Sequence, residues 1–438
     1  MKIISDLHFH SRFSRAVSPQ MNIPTISLWA QKKGIELVTT SDFTHPLWFR
    51  ELQVSLEEVG EGIYKSKESD NNVKFLLTTE ISCIYPKSGK GRRVHLLVFA
   101  PNLSVAEKFN KEMTLRGANL LSDGRPITGL TAKNILEIAL LISEDCLVIP
   151  AHAWTPHFSV FGANSGFDSL EECFEELTTN IKAVETGLSS DPAMNWRIQE
   201  LKGRSLLSFS DAHSPSKMGR EATIFDIPEI TYQNIKKAIS QEGKDCKIDS
   251  TIEFYPEEGK YHFTGHRNCH IVFSPNEARK KGLICPTCGK RLTVGVMSRV
   301  EELARGDEVQ TETKKDSNGV LWIKNKDFEK PPYVMIVPLV EIIAESFGKG
   351  VQTQVVQTMY EKLISELDNE FNILLKSDLE KVKEIAGEKI AEGIAKVRSG
   401  DIVIRPGYDG LFGKVKIWKE GDVEEQKDEE IISQKMLF

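Results

Sequence analysis

The sequence has no apolar run of about 18 residues or more, the length a helix needs to cross a bilayer, so no membrane partner is expected. It has no surplus of positive charge either. Its 56 Lys and Arg face 63 Asp and Glu, a formal net charge of −7, which argues against a protein that coats nucleic acid through bulk charge. Any DNA contact must come from local patches. A disulfide framework is also missing. Cys83, Cys146, Cys173 and Cys246 stand alone in mostly apolar or helical surroundings and read as packing residues. Cys269, Cys285 and Cys288 cluster with His266, a metal pattern that suits a reducing compartment. Met1 to Asp6 run straight into a strand-like stretch and a dense motif, leaving no room for a signal peptide, so the expected location is cytoplasmic. No internal repeat is visible. What is present is an ordinary globular composition over 438 residues, too long for one core and sized for two or three domains.

Over the first 250 residues, short apolar runs alternate with helical patterns. Candidate strands are Lys2–Ser5, Ile35–Thr40, Phe75–Thr79, His95–Phe99, Cys146–Pro150, Ala183–Thr186 and Ser205–Ser210, with helices such as Ile26–Lys33 and Ile135–Ile142. This alternation predicts an α/β fold on a largely parallel sheet or barrel. The informative residues stand just beyond each strand. His8 and His10 come after the first, Asp42 and His45 after the second, Glu80 after the third, His152 after the fifth, and Asp211 and His213 after the last. Active sites of α/β barrels gather at the carboxyl ends of the strands, so separate stretches deliver metal-ligand side chains to one rim. His95 opens its strand instead. A hairpin from Glu80 through the basic loop Lys87–Arg93 is expected to reverse the chain and return His95 to that rim.

In Asp6-Leu-His8-Phe-His10-Ser11, two histidines one residue apart on extended chain point the same way and reach one metal. Alone, such a pair is as often two ordinary histidines at a strand end. Ser210-Asp211-Ala-His213, Glu80 and His152 shift the balance towards a metal site. Mixed His and carboxylate donors suit two or three divalent ions, with zinc, manganese, iron or magnesium as candidates. Such ions activate water and neutralise charge on a phosphate oxygen, so phosphoester hydrolysis is the expected chemistry, with His8, Glu80, Asp211 and His213 at its centre. A second motif, His266-X2-Cys269-X15-Cys285-Pro-Thr-Cys288, has the spacing of a structural zinc ribbon, with His262 or His270 as substitutes for His266. Its four positions leave none open for catalysis. Arg267, Lys280, Lys281, Lys290 and Arg291 around it read either as phosphate contacts or as a solvated basic face.

The barrel residues resemble the polymerase-and-histidinol-phosphatase (PHP) family of metal phosphoesterases. The resemblance covers roughly residues 1–250 and rests on His8/His10, Asp42, Glu80, His95, His152 and Asp211-X-His213. It implies a distorted (βα)7 barrel holding up to three metals. Many members carry adjacent Asp-His in the second motif; here Phe43 follows Asp42 and the histidine is delayed to His45, which leaves open whether Asp42, His45 or both bind metal. The order of barrel and ribbon, with Asp42-Phe-Thr-His45-Pro46, Trp154-Thr-Pro-His-Phe-Ser159 and Pro406-Gly-Tyr-Asp-Gly410, is similar to the endonuclease Q family over nearly the whole chain. That similarity implies cleavage of DNA on the 5′ side of a deaminated base or an abasic site.

Within that reading, Arg12, Arg15, Arg92, Arg93, Lys217, Arg220, Lys290 and Arg291 are candidate phosphate contacts. Trp154, Phe158 and Phe161 either stack on bases or form a buried loop cluster. The division expected is a barrel over 1–250, a ribbon over 251–310, a mainly helical domain over 311–419 and an acidic tail over 420–438. Arg305–Lys330 reads as a charged loop or linker, and Val355, Met359, Leu363 and Leu367 as a buried helical face. Helix should stop at Ser399-Gly400, with a short β-like segment after it. In the tail, Gln434, Leu437 and Phe438 resemble the short peptides that hold a sliding clamp. Two competing functions remain on the sequence: a small-molecule phosphatase acting on substrates such as histidinol phosphate, and a non-catalytic DNA-binding scaffold.

Overall fold

The computed structural model describes residues 1–306 and 308–419. Lys2–Asp6 is the strand around which the barrel-like part is built. It pairs in parallel with Leu37–Thr39, which pairs in parallel with Lys74–Lys87. The rest of the sheet departs from the largely parallel expectation. Ser88 and Gly89, both at positive φ, turn the chain into Lys90–Ala100, and the antiparallel ladder runs from the Leu77–Ala100 pair to the Lys87–Lys90 pair. A two-residue turn of that kind matches strand twist and permits only an antiparallel neighbour. The basic stretch Lys87–Arg93 is therefore a tight turn within a hairpin and not a free loop. Leu147–Pro150 continues antiparallel from Lys90–Ala100. On the other flank, Ala222–Asp226 and Lys247–Glu253 add antiparallel strands beside Lys2–Asp6. The described residues thus form a mixed 13-stranded sheet.

A separate parallel pair, Ala183–Glu185 with Ser205–Leu207, bridges the two flanks. Ala153 N–H donates to Glu185 O (2.9 Å) on one side, and Ser208 N–H donates to Thr223 Oγ1 (3.0 Å) on the other. Helices pack outside this arrangement. Ile23–Lys33 starts where Asn22 accepts from Thr25 N–H (3.1 Å), stops at left-handed Gly34, and buries Ile23, Ile26 and Ala30. One apolar cluster gathers Ile3, Leu37, Leu76, Leu97, Ile149 and Leu207 from six strands. Leu7, Ala151 and Phe209 belong to it and sit next to His8, His152 and Ser210, so core packing fixes the strand ends from which the polar residues project.

Arg305–Lys330 is not a linker. Thr311–Lys315 and Leu321–Asn325 form a hairpin that joins the main sheet through Tyr333–Met335. Its outer strand is exposed along its whole length and carries Lys314 and Lys315, a composition that keeps an edge strand from pairing further and that reads as loop in sequence. Beyond it the chain is mainly helical, as expected, from Leu339–Phe347 to Glu388–Ser399, which ends at left-handed Gly400. The buried face of Gln354–Leu367 differs from the expected one. Val356, Tyr360, Leu363 and Ile364 are buried while Val355 is half exposed, because a strict spacing of four drifts around a helix of 3.6 residues per turn. Val403–Arg405 and Lys414–Lys416 close the described chain as a small hairpin. Among the described residues no helix is long and apolar enough to cross a membrane.

Candidate active site

The carboxyl ends of Lys2–Asp6, Leu147–Pro150 and Ala183–Glu185 meet the stretch after Ser205–Leu207, and their polar residues converge. His8, His10 and Asp211 form one group whose donor atoms lie within 4.8 Å of one another; Glu80, His95 and His152 form a second. Glu80 links them. Its Oε2 lies 3.3 Å from His10 Nε2, and its Oε1 lies 2.7 Å from His95 Nδ1 and 3.0 Å from His152 Nε2. His95 reaches the rim because the hairpin sets it opposite Ser82, whose Oγ is 3.0 Å from His95 Nε2.

Each ring is oriented from behind. His8 Nδ1 is 2.8 Å from Glu185 Oε1, and His10 Nδ1 is 3.1 Å from Asp42 Oδ1. With those nitrogens donating, the two Nε2 atoms face the site; burial opposes the cationic form of both imidazoles, but the carboxylates around them raise both pKa values, and a bound cation would take the place of the Nε2 protons. His8 Nε2, His10 Nε2 and Asp211 Oδ1 are buried without a hydrogen-bond partner. Asp211 Oδ1 lies 3.3 Å from His10 Nε2 and 3.7 Å from His8 Nε2, within ion-pair range but without a well-formed hydrogen bond, an arrangement that a cation between them would complete. The donor set therefore fits divalent ions.

Electrostatics agree. Burial alone would push the Glu80 carboxyl up, but His95, Arg125, His10 and His152 hold it well below its ordinary range. Burial likewise opposes ionisation of Asp211, and His10, His8 and His213 hold it ionised. The backbone is strained at the same places: Asp42, His152 and Asp211 all have positive φ (41°, 30° and 46°). Non-glycine residues in that region are concentrated at functional sites. Gly187 makes the strain feasible at one of them, since a Cβ there would collide with the backbone and Cβ of His152.

Not every expected residue joins the cluster. Asp42 spends its carboxylate on His10, on Ser11 N–H and Oγ (both 2.7 Å) and on Ser14 Oγ (2.9 Å), so it supports a ligand from behind. His45 stacks on Phe13 at 4.5 Å and lies outside both groups. His213 borders the first group, its ring 4.9 Å from that of His10. Two residues at the site were not singled out from sequence. Glu185 obeys the same strand-end rule as the others and was legible in principle. Arg125, 3.1 Å from Glu80 Oε2, comes from a loop that no local pattern ties to the site.

The cationic candidates divide. Arg15 is 73% exposed and Lys290 and Arg291 are exposed. Arg12 pairs with Glu51, Lys217 with Glu341, and Arg93 lies over the Phe158 ring. Arg92 is buried, donating to Gly166 O and stacked over Phe167, while Arg220 donates to Ser210 O. Trp154 is fully buried, with its Nε1–H donating to Asn195 Oδ1 (2.7 Å), and Phe161 is buried against it. The buried-cluster alternative describes those two aromatics. His266, Cys269, Cys285 and Cys288 come together as a third potential metal group; His262 and His270 lie outside it. Cys83, Cys146, Cys173 and Cys246 are buried as packing residues. Gln434, Leu437 and Phe438 lie outside the described residues.

Fold and site are those of a hydrolytic nuclease or phosphoesterase. Residues 338–401 match the family of the MJ0043 C-terminal domain. The chain is 35% identical over 285 residues to the uncharacterized protein MJ0043 of Methanocaldococcus jannaschii, but spans only a third of its length (33%). It is 29% identical over 433 residues to the uncharacterized protein YqxK of Bacillus subtilis, covering 99% of that protein. Among solved structures, the lesion-specific endonuclease PfuEndoQ of Pyrococcus furiosus superposes with a TM-score of 0.80 at 33% identity, over 95% of both chains. An endonuclease Q in complex with a 27-mer duplex carrying an abasic lesion gives 0.81 at 33%, over 96% of this chain and 98% of that one. The chain belongs to the endonuclease Q family.

Proposed function

We propose that this protein is a metal-dependent DNA repair endonuclease that nicks the phosphodiester on the 5′ side of deaminated bases, such as uracil and hypoxanthine, or of abasic sites. The observation that carries this reading is the set of unpaired, buried donor atoms on His8, His10 and Asp211, bridged by Glu80 to His95 and His152, in a chain of this family. Two or three divalent ions bound there would supply a water of lowered pKa and would neutralise the charge that builds on the phosphate. The ligands are His8, His10, Asp211, Glu80, His95 and His152, with His213 at the border of the group. Asp42 holds His10, and Glu185 holds His8, each fixing the ring so that Nε2 faces the ions. His45 takes no ligand role in this scheme.

Arg12, Arg15, Arg93, Lys217, Lys290 and Arg291 contact flanking phosphates, and the damaged nucleotide leaves the stack to be read, which is easiest for a mispaired or missing base. We read residues 1–250 as a distorted (βα)7 barrel, 251–310 as a zinc ribbon held by His266, Cys269, Cys285 and Cys288, and 311–419 as a mainly helical domain whose first strands, Thr311–Lys315, Leu321–Asn325 and Tyr333–Met335, join the main sheet. Gln434, Leu437 and Phe438 are assigned to a sliding clamp; calorimetry comparing the full chain with one lacking residues 434–438 tests that assignment, and equal binding by both rejects it. The catalytic reading is tested by offering the full chain, with Mg²⁺ or Mn²⁺, a duplex carrying one uracil, the undamaged duplex and histidinol phosphate. Nicking of the uracil strand alone, 5′ to the lesion, supports it. Hydrolysis of histidinol phosphate without nicking supports a small-molecule phosphatase instead, and no turnover of any substrate supports a non-catalytic scaffold.

A further inference from the structure

Arg125 brings a guanidinium to the carboxylates at the centre of the site, with Nη1 3.1 Å from Glu80 Oε2 and Asp211 close enough to act on its charge. Its loop is held tightly. Gly124 N–H donates to Phe13 O (3.0 Å), Thr44 Oγ1 donates to Gly124 O (3.4 Å), and Ser82 N–H donates to Pro126 O (3.0 Å). A Cβ on Gly124 would strike the Asp42 carboxylate, so the loop lies directly against the residue that orients His10. Buried Asp123 ties the two ends of this edge together, accepting from Arg125 N–H (3.1 Å) and Arg15 N–H (3.3 Å) and pairing with Arg15 Nε at 3.4 Å. A quarter-exposed Arg125 thus stands at the carboxylates with the open Arg15 guanidinium outside it, two cations leading from solvent to the ligand cluster.

We propose that Arg125 binds a non-bridging oxygen of the scissile phosphate and stabilises the charge gained as that phosphate is attacked. The inference rests on the phosphodiester-cleaving reading above. A guanidinium presents several donors in a fixed plane that matches a phosphate, and it stays charged through the reaction. Glu80, whose oxygens contact histidines of both donor groups, would serve as a ligand to divalent ions bound there. With Glu80 engaged in that way, the Arg125 guanidinium has donors to offer a substrate anion. It transfers no proton: water oxygen forms the new P–O bond and gives up a proton, the bond to the leaving sugar oxygen breaks and that oxygen takes a proton to depart as a hydroxyl, and Arg125 contributes hydrogen bonds that strengthen as charge develops.

The test compares wild type with Arg125→Gln and Arg125→Lys in the full chain. Wild type must first nick a uracil-containing duplex with Mn²⁺; failure there rejects the functional reading itself. The expected result for Arg125→Gln is unchanged metal content by elemental analysis and unchanged thermal unfolding, with turnover down about 100-fold. Its affinity for inorganic phosphate, measured by calorimetry on the metal-loaded protein, should fall about tenfold. Arg125→Lys should recover part of both losses and serves as the second variant if the glutamine form does not fold. Nicking within about threefold of wild type in both variants overturns the proposal. So does a loss of activity that tracks a loss of metal while phosphate affinity stays unchanged, because Arg125 would then only hold Glu80.

Discussion

At the scale of single residues, the site depends on groups that touch no ion. Glu185 accepts from His8 Nδ1 and also from His152 N–H (2.6 Å), so one carboxylate orients a residue of each donor group. Glu185→Gln preserves shape but removes the charge that fixes the ring, and we predict a loss of metal affinity of about 10- to 100-fold, read by titrating metal into stripped protein. Undiminished affinity would show that Glu185 is packing alone. Glu253 gives a pH signature. It is buried among Ser208, Thr251 and Thr186, and burial pushes its carboxyl up to about 8. The fold therefore favours the protonated form, and its contribution is intact below the ordinary carboxylate range of about 4.5. Between that range and pH 8 the native state holds a proton that the unfolded chain has released, so stability falls as pH rises through this window. Glu253→Gln should flatten the fall, so that its melting temperature gains on wild type between pH 5 and 8. Parallel pH profiles for the two proteins would contradict this.

At the scale of elements, strand ends were legible because each apolar run is short and gives way at once to a histidine or carboxylate. His8, His10, Asp211 and His152 reach the rim from those runs, and Glu80 reaches it from within a longer strand. Arg125 was not legible, since its position depends on how a loop between Leu103–Leu115 and Ala132–Ile142 lies against Phe13 and Asp42. Trp154 stayed open between two readings for a related reason: an aromatic two residues after a histidine reads the same in sequence whether it faces solvent or Asn195. Edge strands misled, because Lys-rich alternation is common to a protected edge and a linker. The Cys/His spacing, in contrast, was enough to name the four residues, His266, Cys269, Cys285 and Cys288, that the fold brings together. The short strands of this segment and its small apolar cluster around Phe273, Ala278, Cys285 and Leu292 are too little to hold 264–292 together without a cross-link. Cys285→Ser should release one zinc per chain by elemental analysis and open this segment to proteolysis. Unchanged zinc, or unchanged protection, would reject the assignment.

At the scale of the whole molecule, the proposed function requires a net charge of −7 to coexist with a polyanionic substrate. The structure offers local cation patches. Beside the hairpin turn, a cleft of 850 Å³ is lined by Lys90, Arg279, Arg291 and Arg305, among others. Affinity for lesion DNA should therefore fall steeply with salt despite the acidic average. Replacing Lys90 and Arg93 with Gln should lower the slope of log affinity against log salt by about 2, one for each phosphate no longer neutralised, with little change between lesions. Arg92 is left out because it holds Gly166 from a buried position. An unchanged slope would clear the hairpin of any role in binding. The proposed function joins all three scales: with divalent ions bound, His8, His10, Asp211 and their partners would support cleavage of the backbone of damaged DNA. Its most direct measurement strips the protein of metal, adds back Mn²⁺ in steps, and monitors a uracil-containing duplex with wild type and with Asp211→Asn. The account predicts no cleavage without metal, a single nick 5′ to the uracil as metal is restored, and none from a folded Asp211→Asn variant at any concentration. Metal-independent nicking by wild type, or undiminished nicking by the variant, would contradict it.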